Sequence, residues 1–389
     1  MATLDQNQWP DSPEYAKKAE EYYELGLRAG NRSYVDITNL ASANESLGSY
    51  EKAKQLLDNL EEVSDGARVH VLLGYHELYR GRFDLALSEA DKVFLLDPNN
   101  LYSFFLKGEA LLLSGKFVDS EKEYLRILKE KDISNQIQAR SRLRNLYLAQ
   151  GRFKEAKAQA ELQMELAQES EEKSWIANAL FWSGYVDFKK GDFQKGLEGI
   201  NKASKVYLEF DYLPGQRWVQ TWKGAISLDL GLTSQAQEIE VGLKDLMRKS
   251  QNKKALRYLY FLEGLLNVKI KNYSVAIEDY EKAISLLPYQ SSIGDEHALF
   301  IGALASAYYQ GGLLQKAGAE FERVTSLTSG RASYGDLYAK SFYMLGKIAE
   351  QQGDKGRAIE NYRKFLDLWK DADPGLPEPA DARKRLAAI

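Results

Sequence analysis

The stretch Ala67–Asn100, ARVHVLLGYHELYRGRFDLALSEADKVFLLDPNN, decides the fold. Its small residues and breakers stand where a helical hairpin needs them. Gly74 and Ala86 lack bulk, so two antiparallel helices can approach closely there. Gly81, two residues before Phe83, leaves the first helix, and Pro98 ends the second because it cannot donate the next helical hydrogen bond. Ala90 and Val93 continue the apolar side of the second helix. Such a hairpin cannot cover its own apolar face, so it must stack on copies of itself.

The copies are present. Upstream, residues 34–66 carry Ala41, Gly48, Tyr50, Ala53 and Leu60 at the matching places, and the next unit from Leu101 carries Gly108, Gly115, Phe117, Ser120, Tyr124 and Ile127. Further units run through Gly151 and Phe153, then Gly184 and Gly191, Gly224 and Gly231, Gly264 and Tyr273, Ala305 and Gly312, and finally Gly346 and Gly353. That makes nine. The fourth copy is the weakest, because Arg144 and Gln163 occupy positions where small and apolar residues are expected. The period also changes: 33 residues separate Gly48 from Gly81, but 40 separate Gly151 from Gly191 and 41 separate Gly312 from Gly353. About six extra residues add up to about 9 Å of helix, which predicts a change of curvature near the fourth copy.

These registered small residues resemble the tetratricopeptide repeat (TPR) family, over almost the whole chain. The resemblance implies an all-α fold, a right-handed α-solenoid (superhelix) of about nine TPR hairpins with capping helices. On this reading 1–33 is an N-terminal segment and capping helix, 34–136 holds repeats one to three, 137–372 holds repeats four to nine, and 373–389 is a C-terminal capping helix.

In that family the first helix of each hairpin lines the concave surface. The corresponding positions here are Tyr75, Tyr79, Tyr102, Phe105, Phe181, Trp182, Tyr185, Trp218, Trp222, Tyr258, Phe261, Tyr309 and Tyr343. Aromatic rings supply large apolar area with few rotamers to freeze, so the lining suits an apolar peptide or a partner helix; filling of the core between repeats is the competing reading. Trp182, Trp218 and Trp222 cluster on adjacent repeats and are the first choice for partner contact. The family's carboxylate clamp is not evident, since Thr38, Asn39, Ser42, Val71, Leu72, Tyr75 and Phe105 stand at the corresponding sites. The closing run from Phe365, FLDLWKDADPGLPEPADARKRLAAI, is also similar to the last repeat of TPR tails on bacterial serine/threonine kinases and transcriptional regulators. That implies a sensor or recruitment region of a signalling protein.

Composition narrows the chemistry. Net charge is −4 over 389 residues, with both signs interspersed, which disfavours nucleic acid as a partner. No cysteine is present, removing disulfides and zinc-thiolate sites. The histidines are His70, His76 and His297. The first two are six residues apart and do not share a helix face for metal ligation, so surface or interface positions are expected and no metal or cofactor is assigned. Neither a phosphate-binding loop nor a nucleophile elbow occurs, and no apolar run is long enough to span a membrane. The expected function is a non-catalytic scaffold for a protein or peptide. The alternatives are a regulatory sensor of a small ligand or short peptide and a self-associating module. The compartment is left open.

Overall fold

The computed structural model describes residues 13–30, 33–63, 66–248, 252–290 and 296–389, and the unpatterned start expected at 1–12 lies outside them. Among the described residues every regular element is helical. A terminal helix α1 (Pro13–Arg28) precedes nine hairpins: α2/α3 (Tyr34–Ser46, Tyr50–Val63), α4/α5 (Ala67–Tyr79, Phe83–Leu96), α6/α7 (Leu101–Leu113, Phe117–Ile127), α8/α9 (Ile133–Ala149, Phe153–Glu169), α10/α11 (Lys173–Lys189, Phe193–Glu209), α12/α13 (Leu213–Asp229, Thr233–Arg248), α14/α15 (Leu256–Lys269, Tyr273–Ser285), α16/α17 (His297–Gln310, Leu314–Thr325) and α18/α19 (Gly335–Gln351, Lys355–Leu368). Helix α20 (Pro377–Ala388) follows, and short 3-10 segments stand at Lys253–Ala255 and Ser329–Tyr334. Helices pack on their sequence neighbours throughout, as in a solenoid.

Local chemistry explains the hairpins. Asn100 and Asp132 accept backbone N–H bonds from Tyr102 at 3.1 Å and Ser134 at 2.7 Å, starting α6 and α8. The turn glycines, from Gly48 to Gly353, sit at φ between 69° and 88°, where a side chain is strained. Repeat seven has no glycine there, and Lys271 takes the same conformation at φ 62°. Within a hairpin, a ring from the second helix rests on a glycine of the first: Tyr124 on Gly108, Tyr280 on Gly264, Tyr362 on Gly346. In repeat four the pattern inverts. Arg144 stands at the glycine position and Ala160, fully buried, at the ring position, so the bulk moves from one helix to the other. The chain passes through Arg144 without a break, α7 packing on α8 and α8 on α9.

The solenoid also closes on itself. Helix α8 packs against α18, and the Ser329–Tyr334 segment packs against α6, α8 and α16. Three successive inner helices present their last carbonyl to a side chain from the C-terminal third. Thr328 Oγ1 donates to Tyr79 at 2.9 Å, Arg331 Nη2 to Leu113 at 2.6 Å, and Trp369 Nε1 to Ala149 at 3.1 Å. Helix C-termini leave carbonyls without intrahelical partners, so these bonds satisfy groups that would otherwise need water. Lys189, the last residue of α10, continues the series by pairing with the buried Asp336 at 2.6 Å. Asp336 lies in the first turn of α18, where the helix dipole favours a negative charge. Asp373 adds two backbone bonds to the α8–α9 turn, accepting from Lys154 N at 2.9 Å and donating its own N–H to Gly151 O at 3.0 Å.

Candidate functional site

Closure brings the inner surfaces of the superhelix together, and that decides where the predicted aromatic lining stands. Phe105, Phe181, Trp182, Tyr185, Trp222, Tyr258 and Phe261 are buried. Tyr75, Tyr79, Trp218, Tyr309 and Tyr343 are half-buried, while Tyr102 is exposed on α6. Tyr309 Oη accepts a bond from Gln351 at 2.8 Å, and Tyr343 donates to Asp381 at 2.6 Å.

Eight of the predicted rings line two chambers, with Tyr185 in a partition between them. Tyr185, fully buried, packs edge-on against Trp222 at 5.0 Å and against Tyr334 at 5.9 Å; Trp182 meets Tyr334 at 5.9 Å, and Trp218 meets Trp222 at 5.7 Å. Trp222, Phe261 and Tyr343 face a chamber on one side, of about 430 Å³, lined mainly by α10, α12, α14, α16 and α18. Its wall also includes Phe188, Ala225, Leu265, Leu299, Gly302 and Ala303, and its charged residues are Lys189, Lys269, Lys340, Asp229 and Glu378. Two of those cations are already paired, Lys189 with Asp336 and Lys340 with Glu378 at 2.5 Å. Burial pushes the Lys189 ammonium down from its ordinary value, and Asp336 opposes that shift.

Across the partition lies a second chamber of about 520 Å³, lined by Tyr75, Tyr79, Trp175, Phe181, Trp182, Trp218 and Tyr334 and by the polar groups of Arg142, Arg144, Asn145 and Asn178. Arg142 pairs with the buried Glu109 at 3.1 Å. Burial pushes the Glu109 carboxyl up from its ordinary value, and Arg142 holds it down in part. The guanidinium of Arg144 lies 4.2 Å over the ring of Trp182.

Sequence reasoning marked Arg144 only as a misfit in its repeat. Its place at the small-residue position of an inner helix was the available signal. Arg142, Asn178 and Tyr334 carried no comparable signal, because the segment that completes their chamber comes from repeats eight and nine. The three histidines are buried and bonded, contrary to the surface or interface positions expected: His70 Nδ1 to Glu89 at 2.7 Å, His76 to Glu45, and His297 Nε2 to the Pro288 carbonyl at 2.8 Å. They are buried between packed neighbours, since Glu89 comes from α5, Glu45 from α2 and Pro288 from the residues that follow α15. Among the described residues no acidic or histidine cluster has metal-ligand geometry, and no helix is long and apolar enough to cross a membrane.

Comparison with known proteins bears on this architecture. One model of the tetratricopeptide repeat matches residues 71–135, and a second matches 258–288 and 339–368. A TPR repeat-containing protein of Methanocaldococcus jannaschii is 25% identical over 361 residues, covering 83% of this chain. The chain spans 61% of that relative's length. Solved structures similar to the chain include the apo form of RapI, at 14% identity and a TM-score of 0.47, covering 86% of this chain and 97% of that one. Another is a signal transduction ATPase with a tetratricopeptide repeat sensor from Pyrococcus horikoshii, at 15% identity and a TM-score of 0.45, covering 95% of this chain and 55% of that one.

Proposed function

The chain is a tetratricopeptide-repeat protein, and from that premise we propose that it is a non-catalytic scaffold that takes an apolar segment of a protein or peptide into its closed superhelix. The observation that carries this reading is the apolar chamber of about 430 Å³ walled by Trp222, Phe261, Leu299 and Tyr343. An apolar side chain moved from water into such a site contributes about 1.5–3 kcal/mol, so a segment with two or three anchors binds usefully. The charged residues around the wall orient the segment's polar ends. Recruitment within a signalling protein, suggested by the closing run from Phe365, fits this mode of binding.

Gly302 provides the test. A Cβ added there meets nothing within 4 Å, so the position opens on free space in the chamber wall. A random peptide library is selected over the immobilised chain and over Gly302→Ala and Gly302→Phe variants. Peptides retained by the first two and lost from Gly302→Phe support the reading. Peptides retained equally by all three, or no specific retention at all, contradict it.

A second reading is favoured by the size of the chamber. Its volume lies within the roughly 300–1,000 Å³ usual for small-molecule sites, which suits a regulatory sensor of a small ligand or a short peptide. Filling the chamber would then shift the contacts that α18 makes with α8 and α10. Small-angle scattering distinguishes the two: a bound sensor ligand changes the radius of gyration, whereas a docked scaffold partner need not.

A further inference from the structure

We propose that the polar chamber around Arg144 binds an organic carboxylate with a flat apolar body. Arg144 is 1% exposed and carries a charge for which no carboxylate among the described residues serves as partner. Its bonds go to neutral acceptors: Nη1 donates to Gln163 Oε1 at 2.8 Å, and Nη2 donates to Ser141 Oγ at 2.9 Å and Asn145 Oδ1 at 3.1 Å. Nε–H has no partner. A guanidinium has five N–H donors and no acceptor, so the unused ones call for an anion.

Position supports the same assignment. Arg144 borders the chamber of about 520 Å³, and the neighbouring cation Arg142 is already satisfied by Glu109. Glu296 borders it too, but Arg257 holds that carboxylate at 3.2 Å and Tyr258 donates to it at 3.0 Å. The local balance therefore has one positive charge in excess, and an isolated buried charge is costly until paired. Burial and Arg142 push the Arg144 guanidinium down to about 9, the direction expected of a cation held without an anion.

The walls specify the rest of the ligand. Trp175 and Trp218 line the same chamber as apolar rings, the guanidinium itself lies 4.2 Å over Trp182, and Asn178 adds a polar group to the wall. A carboxylate paired with the Arg144 guanidinium, with an aryl or similarly flat group against the tryptophans that line the chamber, uses both features at once. This ligand chemistry occurs in free aromatic acids and at the C-terminus of a peptide ending in an aromatic residue. The chamber is separate from the apolar one across the ring partition, so this assignment does not depend on the proposed scaffold function.

Titration calorimetry on the intact chain tests it with benzoylglycine and benzoylglycinamide, with the tripeptide Gly-Gly-Phe as free acid and as amide, and with inorganic phosphate. Saturable one-to-one binding of an acid, with its amide about tenfold weaker or worse, is expected from the loss of a charge-assisted bond. Binding of benzoylglycine alone identifies a small-molecule site, and tighter binding of the tripeptide acid identifies a peptide terminus. Arg144→Met lowers the affinity by about tenfold or more, and Arg144→Lys restores part of it. Gly302→Phe, which fills the other chamber, leaves it unchanged. The assignment is overturned if acid and amide bind equally, if only phosphate binds, if nothing saturates, or if Gly302→Phe abolishes binding. It is equally overturned if a folded Arg144→Met variant binds as tightly as the unaltered chain. The acid-to-amide comparison uses the unaltered chain, so it stands even if Arg144→Met fails to fold.

Discussion

The indole Nε1–H of Trp369 donates to the carbonyl oxygen of Ala149 at 3.1 Å, joining the last hairpin to the end of α8 across 220 residues. The same ring packs edge-on against Phe153 at 5.8 Å and lies against Gly151, where a Cβ would approach it to 2.7 Å. One side chain thus satisfies a helix-terminal acceptor and seals the seam. Trp369→Phe keeps the apolar contact and leaves the buried acceptor alone, which costs about 1–3 kcal/mol. Trp369→Ala removes the ring as well and costs about 3–5 kcal/mol. Urea unfolding of the two variants measures this: an unchanged stability for Trp369→Phe would show that the hydrogen bond contributes nothing, and equal destabilisation of the two would show that the ring contributes nothing beyond it.

Two glycines on inner helices predict opposite outcomes for the same substitution. Gly302 faces open space, so Gly302→Ala gains helix propensity and stabilises the chain by about 0.5–1 kcal/mol. Gly335 begins α18 where it crosses α8, and a Cβ there would come within 2.4 Å of the Ala149 Cβ. Gly335→Ala therefore destabilises by about 1–3 kcal/mol despite the same propensity gain. Thermal unfolding of the pair reads the sign directly.

Lys271 holds a left-handed conformation that glycine adopts in the other turns. Lys271→Gly relieves that conformation and is expected to stabilise by about 1 kcal/mol. A chemical denaturation midpoint that falls on substitution would mean that the lysine side chain outweighs the backbone strain.

His297 makes stability depend on pH. Burial pushes its imidazole down to about 4, and its Nε2–H donates to the Pro288 carbonyl at 2.8 Å, so the folded chain holds it neutral. The unfolded chain takes up a proton near pH 6.5, the folded chain only near 4. Stability from this residue is complete above about pH 7 and is lost as pH falls from about 6.5 to about 4, by on the order of 3 kcal/mol. His297→Gln retains a donor without the titration. The difference between the two chains in unfolding free energy should therefore narrow on acidification from pH 7 to pH 4.5, and a constant difference would rule out this histidine as the cause.

How much of this could be read beforehand follows from the range of each interaction. The hairpins were legible because their determinants are local: Gly81 and Phe83 set one turn, and Tyr124 finds Gly108 only 16 residues away. The all-helical solenoid followed from nine such units. The seam was not legible. Nothing around Ser329–Tyr334, a polar run between two hairpins, signals that Arg331 will be buried with its guanidinium on the Leu113 carbonyl. Eight of the thirteen aromatic positions border one chamber or the other, while Tyr102, Phe105, Tyr185, Tyr258 and Tyr309 border neither, and the partition between the chambers depends on Tyr334, which arrives with that same segment. Arg144 was visible as an exception, while its unpaired charge became apparent only once its neighbours were in place.

The central claim is that the superhelix is closed on itself and holds its binding volume inside. The chain has no cysteine, so Lys154→Cys and Lys370→Cys, both exposed and on opposite sides of the seam, place two spin labels cleanly. Pulsed dipolar spectroscopy on the free chain should give a single narrow distance distribution, the signature of a sealed ring. A broad distribution reaching to long separations would contradict closure, and with it the two chambers that closure shapes.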